Sequence, residues 1–458
     1  MCGTIAKVCF YGDNMKIHLY EHFTYKKLIR FTLPAIFMMI FTSIYGVIDG
    51  YFVSNFAGKE PFTAVNLIYP LIMVLGAFGF MFGTGGSALI AKTMGEGNKE
   101  KANRIFSMVV YVSFGLGVVV ALLGIIFIRP IAALLGAEGV YLEHCVTYGR
   151  ILLAALPAFM LQFEFQSFFA TAEKPNLGLW VTVAAGMTNI ILDAVLVICL
   201  PQEYKLTGAA IATALSQVVG GILPLIYFFR KNESLLKLGK FNFDKKALLK
   251  TCTNGSSELM SNISMSLVAM LYNKQLLNYA GEDGVAAYGV LMYVNMIFLA
   301  IYIGYAVGTA PIIGYHYGDK NKPELKSLLR KSFVINGIAS AAMLALGLVL
   351  ASPLSNLFVK YDAGLQAMTV NAFYIFSFSF LFAGLAIFGS SFFTALNNGL
   401  VSAIISFLRT MVFQVAAVLI LPLIWGLNGI WASIVAAELM AVAVTLVFLL
   451  ANRKKYGY

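Results

Sequence analysis

Runs of about 20 apolar residues recur along the whole chain, each long enough to cross the roughly 30 Å hydrocarbon layer of a bilayer as a helix. No other feature limits the possible folds as strongly. Only 12% of the 458 residues are charged and 60% are hydrophobic, whereas about 25% of a soluble protein is charged. The chain therefore reads as an all-α, multi-pass membrane protein rather than the two or three soluble domains its length alone would suggest.

Polar breaks separate twelve such runs, near 27–56, 61–88, 105–128, 145–170, 178–200, 208–229, 247–279, 285–313, 328–351, 365–395, 400–424 and 429–451. The net charge of +11 does not point to nucleic acid, because the basic residues collect in alternate loops, the pattern of cytoplasmic segments. Lys26, Lys27 and Arg30, then Lys92, Lys99, Lys101 and Arg104, then Lys231 to Lys250, Lys320 to Lys331 and Arg453 to Lys455 fall on one side. Lys59, Arg129, Lys205 and Lys360 are scattered on the other. Both termini are thus expected in the cytoplasm, as an even span count requires. The short loops suggest a bacterial inner membrane. Residues 1–22, interrupted by Lys7, Asp13 and Lys16, make no signal-peptide core, and Met15 is an alternative start to Met1.

The spans occur in two copies. A shift of 223 residues brings "MGEGNK" (94–99) onto "YGDKNK" (317–322) and "SFFATA" (167–172) onto "SSFFTA" (390–395), and a shift of 221 brings "LTGAAIAT" (206–213) onto "LNGIWASI" (427–434). Six spans per copy make the copies parallel, related by a pseudo-two-fold along the membrane normal. The expected division is a tail, 1–24; a six-helix lobe, 25–230; a basic linker, 231–246; a second six-helix lobe, 247–451; and a tail, 452–458.

Enzyme signatures are missing from the sequence. Cys2, Cys9, Cys145, Cys199 and Cys252 have neither CxxC nor framework spacing, His18, His22, His144 and His316 form no HExxH set, and "GTGGS" (83–87) lacks the Lys-Ser/Thr of a P-loop. No cofactor is expected. The expected partners are a small-molecule substrate and the bilayer, with the chain acting as a monomer.

The intramembrane acids carry the chemistry. Asp49, Glu164, Asp193, Glu258 and Glu438 stand in apolar runs, where a carboxylate at mid-membrane costs roughly 2.5–3.5 kcal/mol. Asp49 is the only charge between Phe31 and Ala57. Tyr45-x3-Asp49 on span 1 and Asn189-x3-Asp193 on span 5 each place a polar pair on one helix face, about 30 and 20 Å from the cytoplasmic ends at 1.5 Å per residue. Two facing carboxylates in a low dielectric do not both ionise readily, so one is expected to hold a proton near neutral pH. Alternatively, both are structural. Arg409 and Glu438, on spans 11 and 12, read as a structural ion pair. Glu164 either reaches the headgroups or lines an inner vestibule with "QFEFQ". Gly79-x3-Gly83 and Gly304-x3-Gly308 read as close helix packing.

With Pro34, Tyr45 and Asp49 on span 1, "NIILD" (189–193) on span 5 and "GEGN" (95–98) after span 2, the chain from about residue 25 onward resembles the multidrug and toxic compound extrusion (MATE) family. The resemblance implies export of small cationic, amphipathic compounds in exchange for protons or sodium. It also implies a coupling network of Tyr45, Asp49, Asn189 and Asp193 and bending of the first helix at Pro34. Some relatives hold a cation between acids on spans 7 and 10. Here Glu258 resembles the first, but span 10 offers only Asn371, which favours H+ over Na+. The rival reading is a lipid-linked oligosaccharide flippase of the same superfamily. Its substrate would need cavity cations, for which Arg150, Lys274 and Arg409 are the candidates, against five acids.

Overall fold

The computed structural model describes residues 17–360 and 362–458; Met1, Met15 and the other positions before Ile17 lie outside them. Apart from segments 17–24 and 230–244 and the short turns, the described chain is helical. The first helices are α1, Tyr25–Phe52 with a π turn at Val53–Ala57; α2, Lys59–Gly95; α3, Lys99–Leu134; α4, Gly139–Thr171; α5, Pro175–Cys199; and α6, Lys205–Phe229. A helical run of 74 residues, Lys245–Gly318, follows. At 1.5 Å per residue it would measure about 110 Å, far more than one membrane crossing. It breaks at Gly281, whose φ of 63° and ψ of −151° are non-helical, into α7 (245–280) and α8 (282–318). Then come α9, Lys322–Val359; α10, in two segments, Ala363–Phe376 and Ser379–Ala395, bent by 47°; α11, Gly399–Trp425; and α12, Leu427–Tyr456. With the long run split at Gly281 and the bent pair counted once, the twelve spans expected from the sequence are recovered. The single apolar run read at 365–395 is a bent helix, α10. Length and hydropathy do not register the break at Ser377 and Phe378.

The internal repeat is visible in the backbone. Positive φ recurs at matching turns: Gly58 and Gly281, Gly97 and Lys320, Glu173 and Asn397. Asn98 caps the next helix by accepting from the Lys101 N–H at 3.0 Å, and Asn321 does the same for Glu324 at 3.1 Å. The chain therefore forms two six-helix bundles, α1–α6 and α7–α12.

The bundles meet near the end that carries the described termini and the basic loops, referred to here as the basic end. Their contact relies on missing side chains. A Cβ on Gly85 would strike the carbonyl oxygen of Thr251, one on Gly255 that of Met81, and one on Gly318 that of Lys92. Gly304 and Gly308 bring α8 against Ile36 and Thr32 of α1, and Gly79 and Gly83 bring α2 against the backbone of Met160 and Glu164. Both glycine pairs are packing positions, as their spacing predicts. Among the described residues, the second-lobe members of the apolar clusters that mix the two lobes reach no farther from the basic end than Leu259 on α7 and Ala300 on α8. The outer cluster around Tyr272, Trp431 and Phe376 is built from α7–α12 alone. The lobes thus touch in one half of the membrane and part in the other.

This seam gives a direct prediction. Overpacking a tight contact costs about 1–3 kcal/mol, so Gly255→Val should shift the balance toward a separated basic end by roughly tenfold. Cysteines placed at Glu96 and Asp319 should cross-link in the parent and lose most of that cross-link with Gly255→Val. Undiminished cross-linking would show that the seam tolerates the extra bulk.

Candidate functional site

Asp49 sits three turns beyond the lobe contact, one turn before the π turn that ends α1. Such turns widen the helix and often occur at functional positions. Across from it, α5 contributes Asn189 and Asp193, one turn apart and almost fully buried. The side chains of both border the Asp49 carboxylate, yet none of the polar atoms of Asn189 or Asp193 closes a hydrogen bond. From α6, the Thr213 hydroxyl donates to Asp49 Oδ1 at 3.0 Å and also lies 3.1 Å from its own helix carbonyl at Ala209. Tyr45, one turn before Asp49, accepts from Gln162 Nε2 at 3.1 Å. Gly186 makes this convergence possible, because a Cβ there would collide with the rings of Phe41 and Tyr45.

The structure therefore brings together all four residues singled out from spans 1 and 5. It adds Thr213 and Gln162, with Tyr69 and Tyr148 close enough to feel the Asp49 charge. Sequence reasoning missed Thr213, Tyr69 and Tyr148, and named Gln162 only within "QFEFQ", as a vestibule lining. Thr213 and Gln217 do form an i, i+4 polar pair on α6 of the kind that singled out spans 1 and 5, and that signal was present. Tyr148 is fully buried and its hydroxyl is unpartnered, so the cluster holds more hydrogen-bonding capacity than it uses. Its oxygens can hold a proton or a small monovalent cation. No Lys or Arg side chain is buried among them.

The second lobe differs. Tyr272, which the 223-residue shift places opposite Asp49, pairs its hydroxyl with Ser433 Oγ at 2.9 Å and stacks on Tyr288 with ring centroids 5.4 Å apart. A neutral pair thus occupies the position of the acid. The charged group of this lobe lies elsewhere. Arg409 Nε donates to both Glu438 oxygens, at 3.0 and 2.8 Å, with Glu438 buried and Arg409 partly so. Arg409 lies within a second π turn, Leu408–Val412. The ion pair expected from the sequence is present. Glu258 on α7 is half-buried and feels the Arg409 charge. Asn371, on the outer part of α10, is exposed and donates instead to Asn428 Oδ1 at 2.8 Å. The structure does not unite Glu258 and Asn371 in one site. Pro34 is buried within α1 beside the Ala35–Gly304 contact.

Two further expectations change. Glu164 neither reaches headgroups nor lines a vestibule; it is fully buried, its oxygens are unpartnered, and its backbone lies against Gly83. Of the three candidate cavity cations, Arg150 and Lys274 are exposed and Arg409 is committed to Glu438.

The MatE family model matches the chain twice, over residues 34–195 and 259–420, one match per lobe. A multidrug export protein, MepA, of Staphylococcus haemolyticus is 26% identical over 96% of this chain and 97% of its own length. Among solved structures, a MATE in complex with MaL6 superposes with a TM-score of 0.90 at 24% identity, covering 97% of this chain and 99% of that one. The outward-facing conformation of a multidrug resistance MATE family transporter, at 25% identity, also gives 0.90 over 96% and 98%.

Proposed function

The chain belongs to the MatE family, and from that premise we propose that it is a multidrug efflux transporter driven by inward proton movement, exchanging H+ for small cationic, amphipathic compounds. The observation that carries the reading is the Asp49–Asp193 pair, with Asn189 and Thr213 around it and no basic side chain to balance two negative charges. A pair so placed favours a state with a single shared proton. Thr213 supports the same view. Its one hydroxyl proton has two acceptors in reach, so whenever it serves Ala209 the contact with Asp49 needs a proton on the carboxyl.

With the basic end in the cytoplasm by the distribution of Lys and Arg, the lobes are sealed inward and parted outward. In this state a proton from outside can reach Asp49 and Asp193. Neutralising them removes the attraction for a bound cation, which leaves outward. When the lobes rock and the proton departs inward, a negative site is restored for the next cation. Domain limits of 25–230 and 247–451, a cytoplasmic linker at 231–246 and residence in a bacterial inner membrane belong to the same reading.

The test uses purified protein in vesicles loaded with ethidium. A pH gradient at zero sodium should drive the dye across; a sodium gradient at fixed pH should not. The reverse result would move the coupling role from H+ to Na+ and sink the proton reading.

A further inference from the structure

Residues 17–24 precede α1 and are tied to both lobes by side-chain contacts. His18 Nδ1 lies 2.7 Å from Glu173 Oε2, and the Leu19 N–H donates to Glu173 Oε1 at 2.6 Å. Four residues later the motif repeats on another acid. His22 Nδ1 lies 2.5 Å from Glu324 Oε2, and the Phe23 N–H donates to Oε1 at 3.0 Å. Each carboxylate is thus captured by an imidazole and the next backbone amide. Glu173 ends the α4–α5 turn of the first lobe, and Glu324 opens α9 of the second.

We propose that segment 17–24 is a strap across the lobe seam at the basic end, with Glu173 and Glu324 as its positioning residues and the Glu173 clamp as the one that lets go when this end opens. This rests on the reading that the lobes rock, and not on which ion drives them.

The choice of releasing clamp follows from burial. Leu19 and Phe23 are fully buried in an apolar cluster that takes Leu28 and Phe31 from α1 but most of its members, among them Ile312, Leu325, Leu328 and Phe392, from the second lobe. Phe23 also meets His316 of α8 edge-on, with ring centroids 6.5 Å apart, and its carbonyl accepts from the Lys331 ammonium of α9. Pulling the strap from the second lobe would expose two apolar anchors as well as break the Glu324 clamp. Parting from the first lobe breaks the polar contacts at Glu173 and the Glu21–Lys27 ion pair, whose groups water can satisfy, and one ring contact, Phe23 on Phe31 of α1. Glu173 itself has a φ of 58°, a conformation that L side chains other than Asn and Asp rarely adopt. Its counterpart in the repeat is Asn397. A glutamate there is accounted for by its carboxylate rather than by the turn.

The experiment places pairs of spin labels at Tyr20, Lys174 and Lys326 in the full chain with its five cysteines replaced, and reads distances by electron–electron resonance in nanodiscs. Glu173→Ala should enrich a longer Lys174–Lys326 distance at least threefold over the parent, with the Tyr20–Lys326 distance unchanged. Glu324→Ala should instead broaden Tyr20–Lys326. Glu173→Gln, which keeps an acceptor for the Leu19 amide, should fall between parent and Ala and guards against a folding defect. The strap is overturned if Glu173→Ala and Glu173→Gln both reproduce the parent Lys174–Lys326 distribution. It is equally overturned if Tyr20 moves away with the first lobe. A failed proton test would leave these distances untouched, so the two readings fall separately.

Discussion

Asp49→Asn should leave a folded, membrane-inserted protein whose pH-driven export falls to the level of protein-free vesicles. The amide has nearly the shape of the carboxyl it replaces and can still meet Thr213, so helix packing should survive. What it loses is the proton, because an amide does not titrate. Asp193→Asn should behave alike, since the pair rather than either residue carries the shared proton. Binding of a cationic dye measured by fluorescence anisotropy should weaken in both variants, because each imitates the protonated, releasing state permanently. A purely structural Asp49 would give the opposite pattern, with transport retained wherever the variant folds. Glu164→Gln supplies the contrast. That acid is enclosed and unpartnered, away from the Asp49 cluster, so its loss should not abolish exchange.

The second large effect concerns Arg409 and Glu438. Removing one member of a buried ion pair leaves an uncompensated charge and typically costs about 3–5 kcal/mol, so Glu438→Ala should sharply lower the thermal unfolding midpoint in detergent. Arg409→Met combined with Glu438→Met should recover most of that loss, because two apolar side chains of similar volume remove both desolvation penalties. The double substitution separates structure from function. If the pair only aligns α11 and α12, the recovered protein should also transport. If it recovers stability without transport, Arg409 also acts on Glu258, the half-buried acid that feels its charge. A Glu438→Ala protein as stable as the parent would mean that the bond to Arg409 is not what holds α11 and α12 together.

Much of this molecule was legible from its residues, and the reason is physical. A span must be apolar for about 20 residues because lipid cannot satisfy the backbone, so twelve spans can be counted without knowing how any two of them pack. The repeat is legible because a turn that needs positive φ and an Asn cap leaves a local signature at Gly97-Asn98 and Lys320-Asn321. Asp49 and Asp193 could be singled out because a carboxylate in hydrocarbon requires a reason wherever it stands. The i, i+4 spacing of Tyr45 and Asp49, and of Asn189 and Asp193, fixes which residues share a face on each helix.

Which faces meet is another matter, since helix rotation and tilt follow from contacts distant in sequence. Gly186 lets α5 approach Tyr45, and α6 then turns Thr213 onto Asp49. The i, i+4 pair of Thr213 and Gln217 marks a polar face of α6 without saying which helix it meets, and nothing local to Gln162 directs it to Tyr45. Glu164 illustrates the same limit from the other side. Its distance from the end of α4 suggested headgroups, but the close approach of Gly83 seals it inside the lobe. Asn371 likewise took Asn428 as its partner rather than Glu258. The strap at residues 17–24 has no periodicity to betray it, and its anchors lie 155 and 302 positions away along the chain. Composition and spacing determined how many helices cross, how they repeat and which charges need explaining. Only the tertiary structure decided which side chains answer them, because those partners are chosen by close packing between helices rather than by their order in the chain.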